Sequence, residues 1–318
     1  MTVTFDVSPA FTHRETLAGQ LLARLRQAGP RAWLLLDPAL RPPADGDALA
    51  GLLHACPWLA VPLPQVDPAL HPLLVEFDLG QPEHLDWLQR SVEEAVTEAK
   101  PAQLAQGGGR RIGGWLSGHT TLEILARHLA GVCVQSRPDG RRTLLRWYDP
   151  AVLGAVPTLF EAHQQSVLLG PVQHWLYLEG AMQLAQFTHP GRATGQALRL
   201  SPAQWRDLDL LGAAHLALLA LQQRDALPAP YATARTMALI ALRRAQALGF
   251  ADLQDLSLFA THALSVHPQF DHHPTVQACL ARRQPGDYYG GLIADLNESD
   301  WQRIAAQSAP LTPLTPSS

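Results

Sequence analysis

The order of apolar patterns along the chain predicts an α/β N-terminal lobe, a mixed β-sheet with flanking helices, followed by an all-α C-terminal lobe. Three observations carry this. Trp33–Leu36 is a short continuous apolar run, suited to a strand covered on both faces. Val75, Phe77 and Leu79 alternate with Glu76 and Asp78, the period of a half-buried strand. Beyond about residue 200 every periodic segment has helical spacing and no strand pattern interrupts it. With 318 residues the chain can bury two cores, placed at 1–195 and 196–307, and the proline-bearing stretch 308–318 reads as a disordered tail.

The first helix follows a capping box at Thr12 and Glu15, carries Leu17, Leu21, Leu22 and Leu25 on one face, and stops at Gly29-Pro30. The Trp33 strand ends at Asp37-Pro38. A second helix opens with Pro82 in its first turn and buries a stripe of Leu85, Leu88, Val92, Ala95 and Ala99. Residues 100–109, with three consecutive glycines, read as a mobile loop. Thr120 and Glu123 form a second capping box ahead of a helix that Gly131 should stop. Val132–Arg137, the turn Pro138-Asp139-Gly140 and Arg141–Tyr148 read as a β-hairpin. A further strand pair belongs between Val172 and Leu200. Ser201 and Gln204 then cap a helix running through Trp205, Leu208, Leu211 and Leu218. More helices follow at Ala232–Leu248, Leu253–Ser265, Pro274–Arg283 and Ser299–Ala306.

Composition narrows the function. The net charge of −4 gives no reason to expect nucleic acid, since the paired arginines never grow into a basic run. Cys56, Cys133 and Cys279 are odd in number and far apart, so they read as buried thiols rather than a disulfide framework or zinc site. Met1–Arg14 lacks the basic and apolar regions of a signal peptide, and Leu210–Leu221 is too short to span a bilayer. A cytoplasmic protein without membrane insertion is expected.

Catalytic motifs are absent. Lys100 is the only lysine, which removes a Walker A loop and leaves one exposed Schiff-base candidate. Ser117 lacks the GxSxG frame, and there is no HExxH. His262, His267, His272 and His273, with Asp271, form the densest histidine group, but their spacing matches no metal-site pattern. No catalytic residue, metal or cofactor is assigned.

Asp-Pro-Ala recurs at 37–39, 67–69 and 149–151, a corner in which the carboxylate caps and proline needs no N–H partner. The order of segments around it resembles the type VI secretion effector chaperones (the Tap/Tec adaptors, long catalogued as a domain of unknown function). The matching pieces are Trp33–Ala39, Pro57–Leu63, Gly114–Ser117, Leu125–Leu129, Pro138–Gly140, Leu145–Pro150 and Gly170–Val172 with Trp175. Trp147 stands where that family commonly has Phe, and Ala151 where it often has Arg.

The resemblance implies a non-catalytic protein that binds one toxic effector in the cytoplasm and helps load it on a VgrG-type spike. Candidate partner-binding residues are Trp115, Arg146, Tyr148 and Asp149, of the types that anchor interfaces. The bland alternative for Trp115 and Tyr148 is core, and for Arg146 and Asp149 an ion pair with each other. Two other readings compete: a metal-dependent hydrolase using the His262–His273 region, and an immunity protein that binds and inhibits a toxin.

Overall fold

The computed structural model describes residues 9–41, 46–191 and 197–308, with side chains from Leu17 onward. Except for Ser308, the expected tail lies outside the described residues. The chain divides into two compact units, Met1–Trp205 and Arg206–Ser318.

In the first unit, α1 (Pro9–Arg26) precedes β1 (Arg31–Leu36), and α2 (Leu52–Ala55) precedes β2 (Trp58–Ala60) and β3 (Leu73–Asp78). Next come α3 (Pro82–Glu98), α4 (Pro101–Ala105), β4 (Ile112–Ser117) and α5 (Leu122–Cys133). A hairpin of β5 (Val134–Ser136) and β6 (Arg142–Leu144) leads to α6 (Pro150–Leu153), α7 (Val156–Leu159) and α8 (Ala162–Leu169). Strands β7 (His174–Leu178) and β8 (Leu184–Thr188) complete the unit.

Six strands form one sheet in the order β2-β3-β1-β4-β7-β8, and β5 and β6 form a separate two-stranded sheet. The α/β layout is as expected; in detail, all five pairings of the main sheet are antiparallel. Strand β1 is central, and Ala32 to Leu36 are all buried, which is why the run shows no alternation. Leu34, Val75, Trp115 and Leu176 lie opposite one another and pack with Leu21 and Leu25 of α1 and Leu88 and Val92 of α3. Burying each such side chain contributes roughly 1.5–3 kcal/mol. In strand β4 two glycines follow Ile112 for a steric reason. Gly114 has φ +129°, and a Cβ there would strike Leu176 O, while one at Gly113 would strike Tyr148 O.

Several boundaries differ from expectation. Helix α1 begins at Pro9, so Thr12 lies inside it rather than at its cap. Residues 100–109 are not one loop: α4 occupies 101–105, and the Gly109 backbone approaches the Leu40 side chain too closely for a Cβ. The N-cap of α5 is Thr121, whose Oγ1 accepts from the Ile124 N–H, not Thr120. That helix runs through Gly131 to Cys133, because Val132 and Cys133 are buried and its last carbonyls find partners: Trp147 Nε1 and Gln135 Nε2 both donate to Val132 O at 2.8 Å. The hairpin is correspondingly shorter than expected, with Gly140 at φ +83° closing its turn.

Helix α9 (Pro202–Gln222) opens with the capping box read from sequence: Gln204 N donates to Ser201 Oγ and Ser201 N to Gln204 Oε1. The second unit holds α10 (Tyr231–Ala247), α11 (Leu253–Ser265), α12 (Pro274–Leu280), α13 (Tyr289–Leu292) and α14 (Glu298–Gln307). Phe259, Phe270 and Tyr289 stack edge-on in its core. Arg244 ties α10 to the turn after α11 by a two-pronged pair with Asp271, its Nε at 3.0 Å and Nη2 at 2.9 Å. Among the described residues no helix is long and apolar enough to cross a membrane.

Candidate partner-binding site

The three Asp-Pro-Ala corners share one geometry. In each, the Asp Oδ1 accepts the N–H of the Ala two residues on, at 3.0 Å (Asp37), 2.9 Å (Asp67) and 2.9 Å (Asp149). Asp37 does more. It is 2% exposed, its N–H donates to Arg111 O at 2.7 Å, and its Oδ2 accepts from Arg146 Nη2 at 2.6 Å. Burial pushes the Asp37 carboxyl above the usual carboxylate range, and the Arg146 charge only partly offsets this.

Arg146, Tyr148 and Asp149 thus meet at one corner. The Arg146 guanidinium lies over the Tyr148 ring at 5.5 Å, and Asp149 caps α6. The partner of Arg146 is Asp37, not Asp149. Tyr148 is buried, so burial raises its phenol, while the Arg146 side chain is 39% exposed. Trp115 stands apart from them. It is 1% exposed, and its Nε1 donates to Ser91 Oγ of α3 at 2.8 Å. Its ring is sheet core and presents no surface.

Beside the Asp37 corner lies a closed ionic cluster. Arg111, 1% exposed, reaches Asp47 at 2.9 Å, Glu94 at 2.5 Å and Glu98 at 2.5 Å. Arg41 meets the same three carboxylates from the solvent side. Burial raises the Glu98 carboxyl despite Arg111. Burial also pushes Asp47 upward, but the Leu49 N–H and Arg111 outweigh it and hold that carboxyl low. Such a cluster is consumed internally, fixing α3 to the start of β4.

The histidine region is also occupied structurally. His262 Nδ1 meets Tyr289 Oη at 2.7 Å and its ring stacks on Trp301 at 4.3 Å, and burial pushes its imidazole down to about 4. His273 caps α12 and reaches Gln307 at 3.1 Å, while His272 points to Asp271 at 3.6 Å. Among the described residues no three His, Cys, Asp or Glu side chains converge to hold a metal ion. The three cysteines are free and buried, which pushes the Cys56 thiol up to about 11 and the Cys133 thiol up to about 12.

A different surface feature escaped the sequence reading. A groove of about 980 Å³ lies in the first unit, walled by α5, the free edge of β5, the end of α8 and residues 197–202. Arg127, Arg137 and Arg199 line it, with the Glu123 charge acting on Arg127 and the Asp139 charge on Arg137. Arg137 is held in place, its Nε donating to Thr143 Oγ1 at 2.9 Å and its guanidinium lying over Trp205 at 4.5 Å. The missed signal was three arginines in segments far apart in sequence, one of them directly before the Pro138 turn.

Comparison with known proteins gives one match. Residues 32–167 match the family model described as a domain of unknown function (DUF4123). That stretch runs from β1 to within α8 and holds the Asp37 corner, the ionic cluster and the hairpin wall of the groove. No curated protein matches the chain, and no solved structure does.

Proposed function

We propose that this protein is a non-catalytic chaperone, an adaptor that binds a specific type VI secretion effector in the cytoplasm and helps load it onto a VgrG-type spike. The observation that carries this reading is the span of the family match. Residues 32–167 enclose six of the segments on which the resemblance to the Tap/Tec adaptors rests, from Trp33–Ala39 through Leu145–Pro150. The side chains in those segments have structural work in the fold, as a binding scaffold requires. Asp37 and Arg146 tie the end of β1 to the turn before α6, Trp147 caps α5, and Gly114 lets β4 and β7 approach.

The test is affinity isolation of the tagged full chain from its native host with the secretion system expressed, read by mass spectrometry. Recovery of one large toxin, with or without a VgrG-type spike, is the expected result; recovery of neither contradicts it. Toxin activity is then measured in the isolated complex. A chaperone leaves the effector competent on release, whereas silencing of a toxin directed at the host itself would make this an immunity protein.

A further inference from the structure

We infer that two copies of this chain join edge to edge through β8, continuing the main sheet of one copy into that of the other across a two-fold axis. The pairing is read from the strand itself and does not depend on what else the chain binds.

Strand β8 ends the main sheet, and its five residues pair with β7 without a break in register. Glu179 N donates to Gln183 O and His189 N to Gln173 O, so residues 183, 185, 187 and 189 turn their backbone toward β7. Leu184, Gln186 and Thr188 therefore direct their N–H and C=O groups away from the sheet. Gln186 and Thr188 are exposed, and Arg24 Nη1 touches Leu184 O at 3.5 Å. Edge strands are ordinarily guarded against pairing by charge, proline, a bulge or short length. The opposite edge is guarded in this way, since β2 has three residues and lies between Pro57 and Pro62. Residues 183–189 hold no Asp, Glu, Lys, Arg or proline.

The order of residues in β8 suits its own copy as the occupant. A two-fold axis at Gln186 sets that residue against itself and Leu184 against Thr188 of the other copy, each pair exchanging N–H···O bonds through the outward groups. On the other face of the sheet, Ala185 of one copy meets Phe187 of the other, and the symmetry makes this contact twice. Small then opposes large, and Phe187 already lies opposite Trp175 of β7. No like charges face one another along the strand, and the two Arg24 side chains fall at opposite ends of it.

The test is sedimentation velocity on the full chain over a range of concentrations. The parent should sediment at about twice its 34.6 kDa at the highest of them. Gln186→Lys places two ammonium groups opposite each other at the axis and should weaken association about tenfold, as should Gln186→Glu with two carboxylates. An equal mixture of the two variants should recover the dimer, because lysine then faces glutamate. Thr188→Pro removes an outward N–H from each copy, leaves the bonds to β7 intact, and should weaken association by about tenfold or more. Circular dichroism confirms that each variant is folded, and the Gln186 pair decides the outcome if the proline variant is not. A parent that stays monomeric overturns the inference, including the case in which β8 is protected from hydrogen exchange only in the presence of another protein. A dimer indifferent to these changes also overturns it, as does a mixture that associates no better than either variant alone.

Discussion

Arg111 and Arg199 are the same side chain put to opposite uses within one unit. Arg111 is enclosed by Asp47, Glu94 and Glu98, and none of its charge reaches a partner. Arg199 stands exposed at the wall of the groove. The difference teaches that a count of basic residues says little about binding, because the acids placed beside each one decide whether its charge is spent inside the fold or offered outside it.

The comparison breaks most visibly at Arg111. Arg111→Ala leaves three carboxylates, two of them largely buried, without their central cation, and should cost about 3–5 kcal/mol in urea unfolding. A change below 1 kcal/mol, of the order of an exposed pair, would mean the cluster is solvated and not closed.

Arg146→Ala should cost less, about 1–3 kcal/mol, since the arginine is partly exposed while Asp37 is not. Its pH dependence has a definite sign. The Asp37 carboxyl already lies above its ordinary value, so the folded state favours its protonated form. That contribution is present at low pH and lost as pH rises through the raised value. Removing Arg146 should therefore destabilise more at neutral pH than in the acid range, a difference that melts across pH would show.

Acidification tests the second unit in the opposite sense. His262 is held neutral by burial, with its imidazole pushed down to about 4. Stability from this group is present above pH 6.5 and lost as pH falls toward 4, by up to about 3 kcal/mol. His262→Asn should flatten that part of the profile; an unchanged slope would assign the acid sensitivity to other groups.

The smallest effect is expected at the exposed Arg199. Arg199→Ala should leave unfolding within about 0.5 kcal/mol of the parent, because the side chain is exposed. A larger loss would show that Arg199 belongs with Arg111 as a structural cation.

Much of the fold was legible in the sequence because the signals were local. The Trp33–Leu36 run became the central strand, Ser201 and Gln204 cap α9, and α11 has the bounds expected from its period. What failed was set by distant residues. Gly131 could not stop α5, because Trp147 and Gln135 supply its terminal carbonyls with donors. The partner of Arg146 lies 109 residues away at Asp37, beyond any spacing rule. Trp115 has the chemistry of an interface anchor, but its strand register turns it onto α3. The groove is assembled from three separate segments, each ordinary alone.

The central claim is best tested by hydrogen exchange on the full chain, free and in complex with the effector it is isolated with. The account predicts slowed exchange over one contiguous surface in the complex, with amides around Glu98 and Arg111 unchanged. Exchange unchanged throughout the chain would contradict it.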